Sequence, residues 1–452
     1  MSISWNRLFL CCVLCLSGML MEAQNQNVNI QPKINSPFSR YGLGDLVDPF
    51  YVAQAGMAGL TAAFYDPYTL NILNPASLSQ LQATSFEVGF NAKYSSLKAD
   101  EVSEGVWSGN LNYLALGFPL INPINKALDR RQSPLKLGMA FALQPYTEVG
   151  YNVETILEKE NTGPTTNSLK GTGGTYRIHW GNGIGFKDFT AGVTLGYQFG
   201  KLTNSRRVVF DSVEYAYTTE FLDEISTSGF FWRAGVQYTH HFKKPNAQGV
   251  RINSGKRLIF GLHGNSTSEF NTNTSLFYQR YSTLYGTRDT LAYDDEVKQK
   301  GTLPSEWTAG VSFENVNKLR LGVEYGVSNW TEYSNEAKPE TSFADAWHVA
   351  LGGEYIPNHL SYNNYFQKVR YRFGAYYNKD PRTFDGEQLS EYGITLGMGM
   401  PIVMARQRVS FVNLALEVGQ FGLTDTLKET FVKIALGFTL NDNTWFFKRK
   451  FN

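Results

Sequence analysis

A transmembrane antiparallel β-barrel of about fourteen strands, all-β and preceded by an N-terminal segment that fills its lumen, is the fold class this sequence predicts. Three observations lead there. From Thr84 to Leu440 the chain repeats runs of ten to fifteen residues in which every second side chain is apolar or aromatic. The clearest run sets Phe189, Ala191, Val193, Leu195, Tyr197 and Phe199 on one face and Thr190, Gly192, Thr194, Gly196 and Gln198 on the other, as a strand with alternating faces requires. The chain also opens like an exported protein, and its connections alternate between long and short.

The first element is residues 1–23. Arg7 precedes the apolar stretch Leu8 to Met21, and Met-Glu-Ala leads to Gln24, which reads as a secretory signal cut after Ala23. The stretch is shorter than the roughly 20 residues a helix needs to cross a bilayer. All three cysteines, Cys11, Cys12 and Cys15, fall inside it, so the exported chain is expected to carry no thiol, disulfide or lipid anchor. A net charge of +1 supplies no basic field, and no nucleic-acid partner is expected. The mean hydropathy of −0.28 is compatible with a barrel, whose lumen-facing half is polar.

Residues 24–83 do not alternate. They hold Ser36 to Asp45, the small-residue run Ala53 to Ala63, and Asn74-Pro75-Ala76-Ser77-Leu78. Glycine, alanine and proline at this density mark turns and close backbone approach. A barrel of fourteen strands has a lumen wide enough to need filling, so this segment is expected to be a hatch.

Residues 84–440 are the barrel. Strands are expected at about 84–98, 106–118, 134–149, 174–186, 188–203, 229–243, 256–271, 299–314, 318–332, 344–357, 366–379, 388–402, 407–421 and 430–440, an even number as closure prefers. Sixteen stays open, because residues 205–220 also alternate; they are assigned to a hairpin-like extension of an outer loop. If the first strand runs outward, the connections at 150–173, 204–228, 272–298, 331–343, 380–387 and 422–429 lie outside. Lys187-Asp188, 315–317 and 403–406 then make short periplasmic turns, while 119–133, 244–255 and 358–365 are periplasmic excursions. Aromatics form 14% of the chain and gather near strand ends, as at Phe230 to Trp232 and Tyr376-Tyr377, where interfacial girdles belong. Residues 441–452, with Trp445-Phe446-Phe447 and three basic residues, are expected to be a periplasmic tail with snorkelling lysines.

The third barrel strand carries Leu137, Met139, Phe141 and Leu143 in alternation until Gln144-Pro145-Tyr146. Proline removes a ladder donor, so pairing is expected to fail there. Either the wall opens laterally at Gln144, Pro145 and Tyr146, or the strand has already left the membrane.

Several of these segments together resemble the FadL-type family of outer-membrane transport proteins. They are Gly56-Met57-Ala58-Gly59 followed by Asn74-Pro75-Ala76, Leu303-Pro304 leading to Gly310-Val311, Leu321 to Tyr325 with Trp330, and Leu351 to Tyr355 before Tyr371-Arg372-Phe373-Gly374. The resemblance implies a fourteen-stranded barrel of the bacterial outer membrane with a luminal hatch. It also implies gated diffusion of small hydrophobic molecules such as long-chain fatty acids, released sideways at the third strand, with membrane lipid and that ligand as partners. Gly56, Gly59, Asn74, Pro75 and Ala76 would belong to the hatch; Pro304 and Trp330 would be structural. Ser36 to Asp45 departs from the pattern and leaves the substrate class open. Barrels of this type also serve as non-transporting subunits of outer-membrane assembly or secretion machines, with other outer-membrane proteins as partners; a general porin fits less well with a filled lumen.

Catalytic chemistry is not legible. The six histidines, at 179, 240, 241, 263, 348 and 359, show no zinc-like spacing, and neither a nucleophile elbow nor a phosphate loop occurs. No enzyme, cofactor or metal is expected. Glycine-rich strands such as Gly393 to Gly399 are read as close-packed wall.

Overall fold

The computed structural model describes residues 36–99, 102–121, 134–159, 163–213, 215–245, 251–282, 284–339, 343–384, 386–404, 408–423 and 427–442. The expected signal, most of the 119–133 excursion and nearly all of the aromatic tail lie outside these residues.

The chain enters through a short strand, β1 (Asp45–Leu46), a helical turn at Val52–Ala55 and a 3-10 turn at Pro75–Gln80. The wall begins with β2 (Thr84–Ala99), β3 (Val102–Pro119), β4 (Leu135–Lys159), β5 (Gly163–Phe186), β6 (Phe189–Phe210) and β7 (Thr218–Pro245). It continues through β8 (Arg251–Asn265), β9 (Ser268–Ser282), β10 (Thr287–Leu303), β11 (Glu306–Asn315) and β12 (Leu319–Ser328). After the two-residue β13 (Ser334–Asn335) come β14 (Ala346–Tyr355), β15 (Arg370–Phe384), β16 (Glu387–Met404), β17 (Arg408–Gly422) and β18 (Leu427–Asp442).

Consecutive wall strands pair antiparallel, and β18 pairs with β2 along its length, which closes the sheet on itself. Two wall strands are each built from two pieces. Both β8 and β9 pair with β7, one after the other, and β11 and β10 pair with them in turn. The joints fall at Ser266-Thr267 and at Pro304-Ser305, where proline removes a ladder donor. Counted this way, fourteen strands form the barrel among the described residues, several of them running about ten residues further at their outer ends than expected, as β4, β5 and β7 do.

The outer connections are more regular than expected. Those placed at 150–173, 204–228 and 272–298 are mostly the wall strands themselves, continuing as the hairpins β4–β5, β6–β7 and β9–β10. Residues 205–213 and 215–220 belong to such a hairpin, which β6 leaves at Phe210 and β7 enters at Thr218. On the opposite rim Lys187-Asp188 and 316–318 close tight turns, with Lys187 and Asn317 at φ of 54° and 61°.

Alternation sorts the side chains as a membrane demands. Tyr176, Ile178, Trp180, Ile184 and Phe186 are exposed on the outside of β5, while Thr175, Arg177 and His179 between them are buried. Lipid meets only the apolar set. At the outer ends the rings form cross-strand chains: Tyr325, Trp347 and Tyr377 lie 6.4 and 5.4 Å apart between centroids, and Tyr197 lies 4.9 Å from Phe230. The clusters noted in the sequence divide by parity: Phe230 and Trp232 face out and Phe231 in; Tyr377 faces out and Tyr376 in. No helix among the described residues is long and apolar enough to cross a membrane; the strands do so.

Candidate functional site: a filled lumen beside an open seam

Residues 36–83 lie against the inward faces of the wall, and almost every residue from Tyr51 to Ala83 is buried. Gly56-Met57-Ala58-Gly59 forms a tight turn with Ala58 and Gly59 in the left-handed region at φ of 56° and 79°. The Phe50 ring sits 2.5 Å from where a Gly59 Cβ would stand, so both conformation and space require glycine. From this turn the Ala58 amide donates to Thr395 Oγ1 on β16 at 3.0 Å.

The next turn clasps a wall carboxylate. The amides of Thr61 and Ala62 donate to Glu324 Oε2 at 2.7 and 2.6 Å, and the Thr61 hydroxyl donates to Glu324 Oε1 at 2.9 Å. Glu324 is buried on β12, and a buried carboxylate is tolerable only when its oxygens are satisfied in this way. Asn74 acts as the internal tie: its Nδ2 donates to the Ala62 carbonyl at 2.7 Å, and its Oδ1 accepts from the Ala76 amide at 3.2 Å to cap the Pro75 turn. Gln237 Nε2 of β7 reaches the carbonyls of Ala62 and Phe64 at 2.9 and 3.1 Å. Tyr51 stacks on Tyr113 with centroids 3.9 Å apart.

Elsewhere this segment rests on glycines of the wall. Gly138, Gly183, Gly192 and Gly235 stand directly opposite one another across β4 to β7. Gly261 faces Gly310, and Gly322 faces Gly352 and then Gly374. A Cβ at Gly138 would come 1.9 Å from the Leu78 carbonyl oxygen, at Gly261 1.8 Å from that of Ala62, at Gly352 2.4 Å from that of Met57, and at Gly192 2.4 Å from the Pro75 carbonyl carbon. The Asn74 and Leu60 side chains lie over Gly235 and Gly322, while at Gly138, Gly192, Gly261 and Gly352 backbone rests on backbone. Such contact has no side chain that can rotate away.

At the inner rim Asp66 pairs with Arg370 at 2.7 Å. Burial pushes its carboxyl up, but Arg370 and Arg320 outweigh burial and hold it below the ordinary carboxylate value. A depressed folded-state value means that this pairing stabilises at every pH above the unfolded value of about 3.9 and is lost as pH falls through the folded one. Asp66→Asn should therefore destabilise the inner rim at pH 7 by about 3–5 kcal/mol, the cost of breaking a buried pair. The gap between variant and wild type should close below about pH 4; acid titration of thermal unfolding checks both.

Above the segment lies a cavity of about 150 Å³, faced by the carboxylates of Asp45, Asp48, Glu148, Asp380, Glu391, Glu417 and Glu429. Only Lys93, Arg382 and Lys433 oppose them. Lys93 pairs with Glu429 at 2.7 Å, Lys433 bridges Asp48 and Glu417, and Arg382 holds Asp45 and Asp380. A second cavity of about 260 Å³ mixes Phe50, Leu73, Trp330 and Trp347 with His263, Glu306 and Glu324.

The wall is incomplete beside the acidic cavity. β3 pairs with β4 only from Leu114 opposite Leu143 to Pro119 opposite Gly138. Beyond that point β4 continues on β5 through a bulge between Pro145 and Thr147, and Gln144, Pro145 and Tyr146 are all buried. The free edge of β4 is taken from inside: β1 pairs Asp45 with Glu148 and Leu46 with Thr147, and the Val47 and Ser36 amides donate to the carbonyls of Tyr146 and Gly150 at 3.0 and 2.9 Å. Among the described residues, β3 from Val102 to Asn112 has a strand partner only in β2. Asn110 Nδ2 to Glu148 Oε2, at 2.8 Å, spans the seam.

A family model described as BamG matches residues 6–452 of the sequence. The chain belongs to the BamG family. No curated protein matches the chain. Among solved structures, the P. putida toluene transporter TodX is similar at 12% identity and a TM-score of 0.52, over 88% of this chain and 99% of that one. A Pseudomonas aeruginosa FadL homologue is similar at 11% identity and 0.51, over 88% and 99%. The CymD monoaromatic hydrocarbon channel is similar at 13% and 0.50, over 89% and 99%. This BamG-family barrel thus has the FadL-type fold.

Gly56 rests against Gly397 of β16 and Arg372 of β15, whereas Pro75 rests against Gly183 and Gly192 of β5 and β6 and Asn74 against Gly235 of β7, on the far side of the barrel. Gln144, Pro145 and Tyr146 lie on β4 where its pairing with β3 has ended. Sequence reasoning missed Glu324, the glycine belt and the acidic cavity. An acidic residue at an inward strand position, between Val323 and Tyr325 facing out, was the available signal for Glu324. Pro304 joins β10 to β11, and its carbonyl accepts from Asn265 Nδ2 at 3.3 Å; Trp330 packs among Tyr333 and Phe343 at 5.6 and 5.5 Å.

Proposed function

We propose that this protein is a sealed outer-membrane barrel that acts as a docking subunit of a larger outer-membrane assembly or secretion machine, with residues 36–83 as a permanent plug. The seating of the plug carries this reading: its backbone lies on a belt of glycines and its turn is clasped by Glu324. A gate must leave its seat at modest cost, and here three buried hydrogen bonds to one carboxylate would break together. The acidic cavity supports the same reading, since an apolar ligand there would strip water from carboxylates without replacing it. The hairpins β4–β5, β6–β7 and β9–β10 rise beyond the outer aromatic chain and offer surfaces for partners.

A second reading is favoured by the seam itself. In it the barrel carries small hydrophobic molecules, long-chain fatty acids among them, and releases them between β3 and β4 past Gln144, Pro145 and Tyr146. The fold likeness to a toluene transporter and a hydrocarbon channel supports this reading.

Gentle extraction from native outer membranes, followed by mass spectrometry of bound proteins and lipids, separates the two. Stoichiometric protein partners with an empty lumen are expected. A lone barrel holding a fatty-acid-like molecule would establish the channel instead.

A further inference from the structure

Among the described residues, β3 from Val102 to Asn112 is paired by no strand but β2, which leaves its other edge open. Trp107, exposed on the outside and 5.1 Å from Tyr94, marks the outer interface, and Leu111 below it faces lipid. The backbone groups from Trp107 to Asn112 that point away from β2 therefore open on the outer leaflet, and those from Val102 to Val106 lie above it. Backbone polar groups in hydrocarbon require partners, and an unpaired strand edge is the usual template for adding a strand. The seam is one-sided, because Ser36, β1 and Val47 already occupy the facing edge of β4.

We propose that β3 captures a membrane strand of another polypeptide, one carrying lysine or arginine at alternate positions. The alternation follows from the pleat. Asn112 is an extra residue of β3 opposite the step from Gly89 to Phe90; before it, Val106, Ser108 and Asn110 face the acidic cavity while Trp107 and Leu111 face lipid. A strand added in this sheet repeats the division, with one row of side chains over lipid and the other over the carboxylate surplus, where cations are favoured. The six residues of this edge from Trp107 to Asn112 lie at or below the interface, and below them β3 is paired with β4, so the captured strand would be held in the outer leaflet. This inference rests on the docking reading and adds where the partner binds and what it looks like.

The test uses the full-length protein in nanodiscs of zwitterionic lipid, with an eleven-residue peptide alternating lysine and leucine, ¹³C-labelled at its backbone carbonyls. Its counterpart with glutamate for lysine is the control, and empty nanodiscs give the background. In a background with Cys11, Cys12 and Cys15 replaced by serine, Asn110→Cys with Glu148→Cys can be joined by a short bismaleimide to strap the seam. The lysine peptide is expected to bind at least ten-fold tighter than the glutamate peptide. Its labelled carbonyls should shift to the antiparallel-sheet frequency, and binding should weaken at least ten-fold in the strapped protein relative to the same variant unstrapped. Equal binding of the two peptides, equal binding to strapped and unstrapped protein, or no binding would overturn the proposal. If native extraction yields partners but the peptide result is negative, docking stands and the strand-capture site falls; peptide capture without native partners would do the reverse.

Discussion

Gly192→Val is expected to unseat the plug. Its Cβ would stand 2.4 Å from the Pro75 carbonyl carbon and 2.6 Å from the Ala76 amide nitrogen, and Pro75 also lies against the neighbouring Gly183 and Gly235 of the same row. Overpacking ordinarily costs about 1–3 kcal/mol because side chains shift to absorb it. Here both surfaces are backbone, so the strain falls on strand pairing or on the plug. The plug is the weaker, since the β5–β6 and β6–β7 ladders each run for twenty or so residue pairs. Limited proteolysis should show cleavage within residues 36–83 at least ten times faster than in wild type, with the barrel intact. Gly109→Val, whose Cβ would meet only the Asn91 carbonyl at 3.4 Å, should behave as wild type. Equal protection in both variants would mean that the belt does not seat the plug.

Glu324→Leu should have the second large effect. The substitution removes the acceptor for two amides and one hydroxyl, all buried, at about 1–3 kcal/mol for each donor left unpaired. Losses in one cluster are not additive, and about 3–6 kcal/mol is the expected total. Glu324→Gln keeps one oxygen and should lose roughly half of that. Thermal unfolding in detergent, read as the temperature at which the barrel band shifts on semi-native gels, should rank wild type above Gln above Leu. Equal midpoints for all three would show that the clasp contributes nothing.

The architecture was largely legible because alternation and connection lengths are written in the chain. Phe189 to Phe199 could be only a strand, and Lys187-Asp188 only a tight turn, so strand count and inside–outside parity followed. The hairpin from 205 to 220 was harder to place, since a strand that leaves the membrane keeps its alternation but loses its apolar face. Gln144-Pro145-Tyr146 marked where pairing would stop. What the proline could not announce is that β1, from a hundred residues earlier, would cover β4 and leave β3 bare; that depends on a contact between distant segments. The same limit hid the site. Gly192 alone is one glycine in a strand, and only the register that sets it beside Gly183 and Gly235 makes it a seat. Glu324 reads as any lumen-facing acid until the turn at Thr61-Ala62 is folded against it.

The account stands on a plug that is as fixed as the wall around it, and amide hydrogen exchange of the unmodified full-length protein in nanodiscs measures this directly. Residues 51–81 are predicted to exchange as slowly as β5 and β6, far more slowly than the hairpin tip at 211–213 and 215–217. Exchange of 51–81 on the timescale of that tip, with β5 and β6 protected, would show a plug that opens, and would contradict the account in favour of a gated channel.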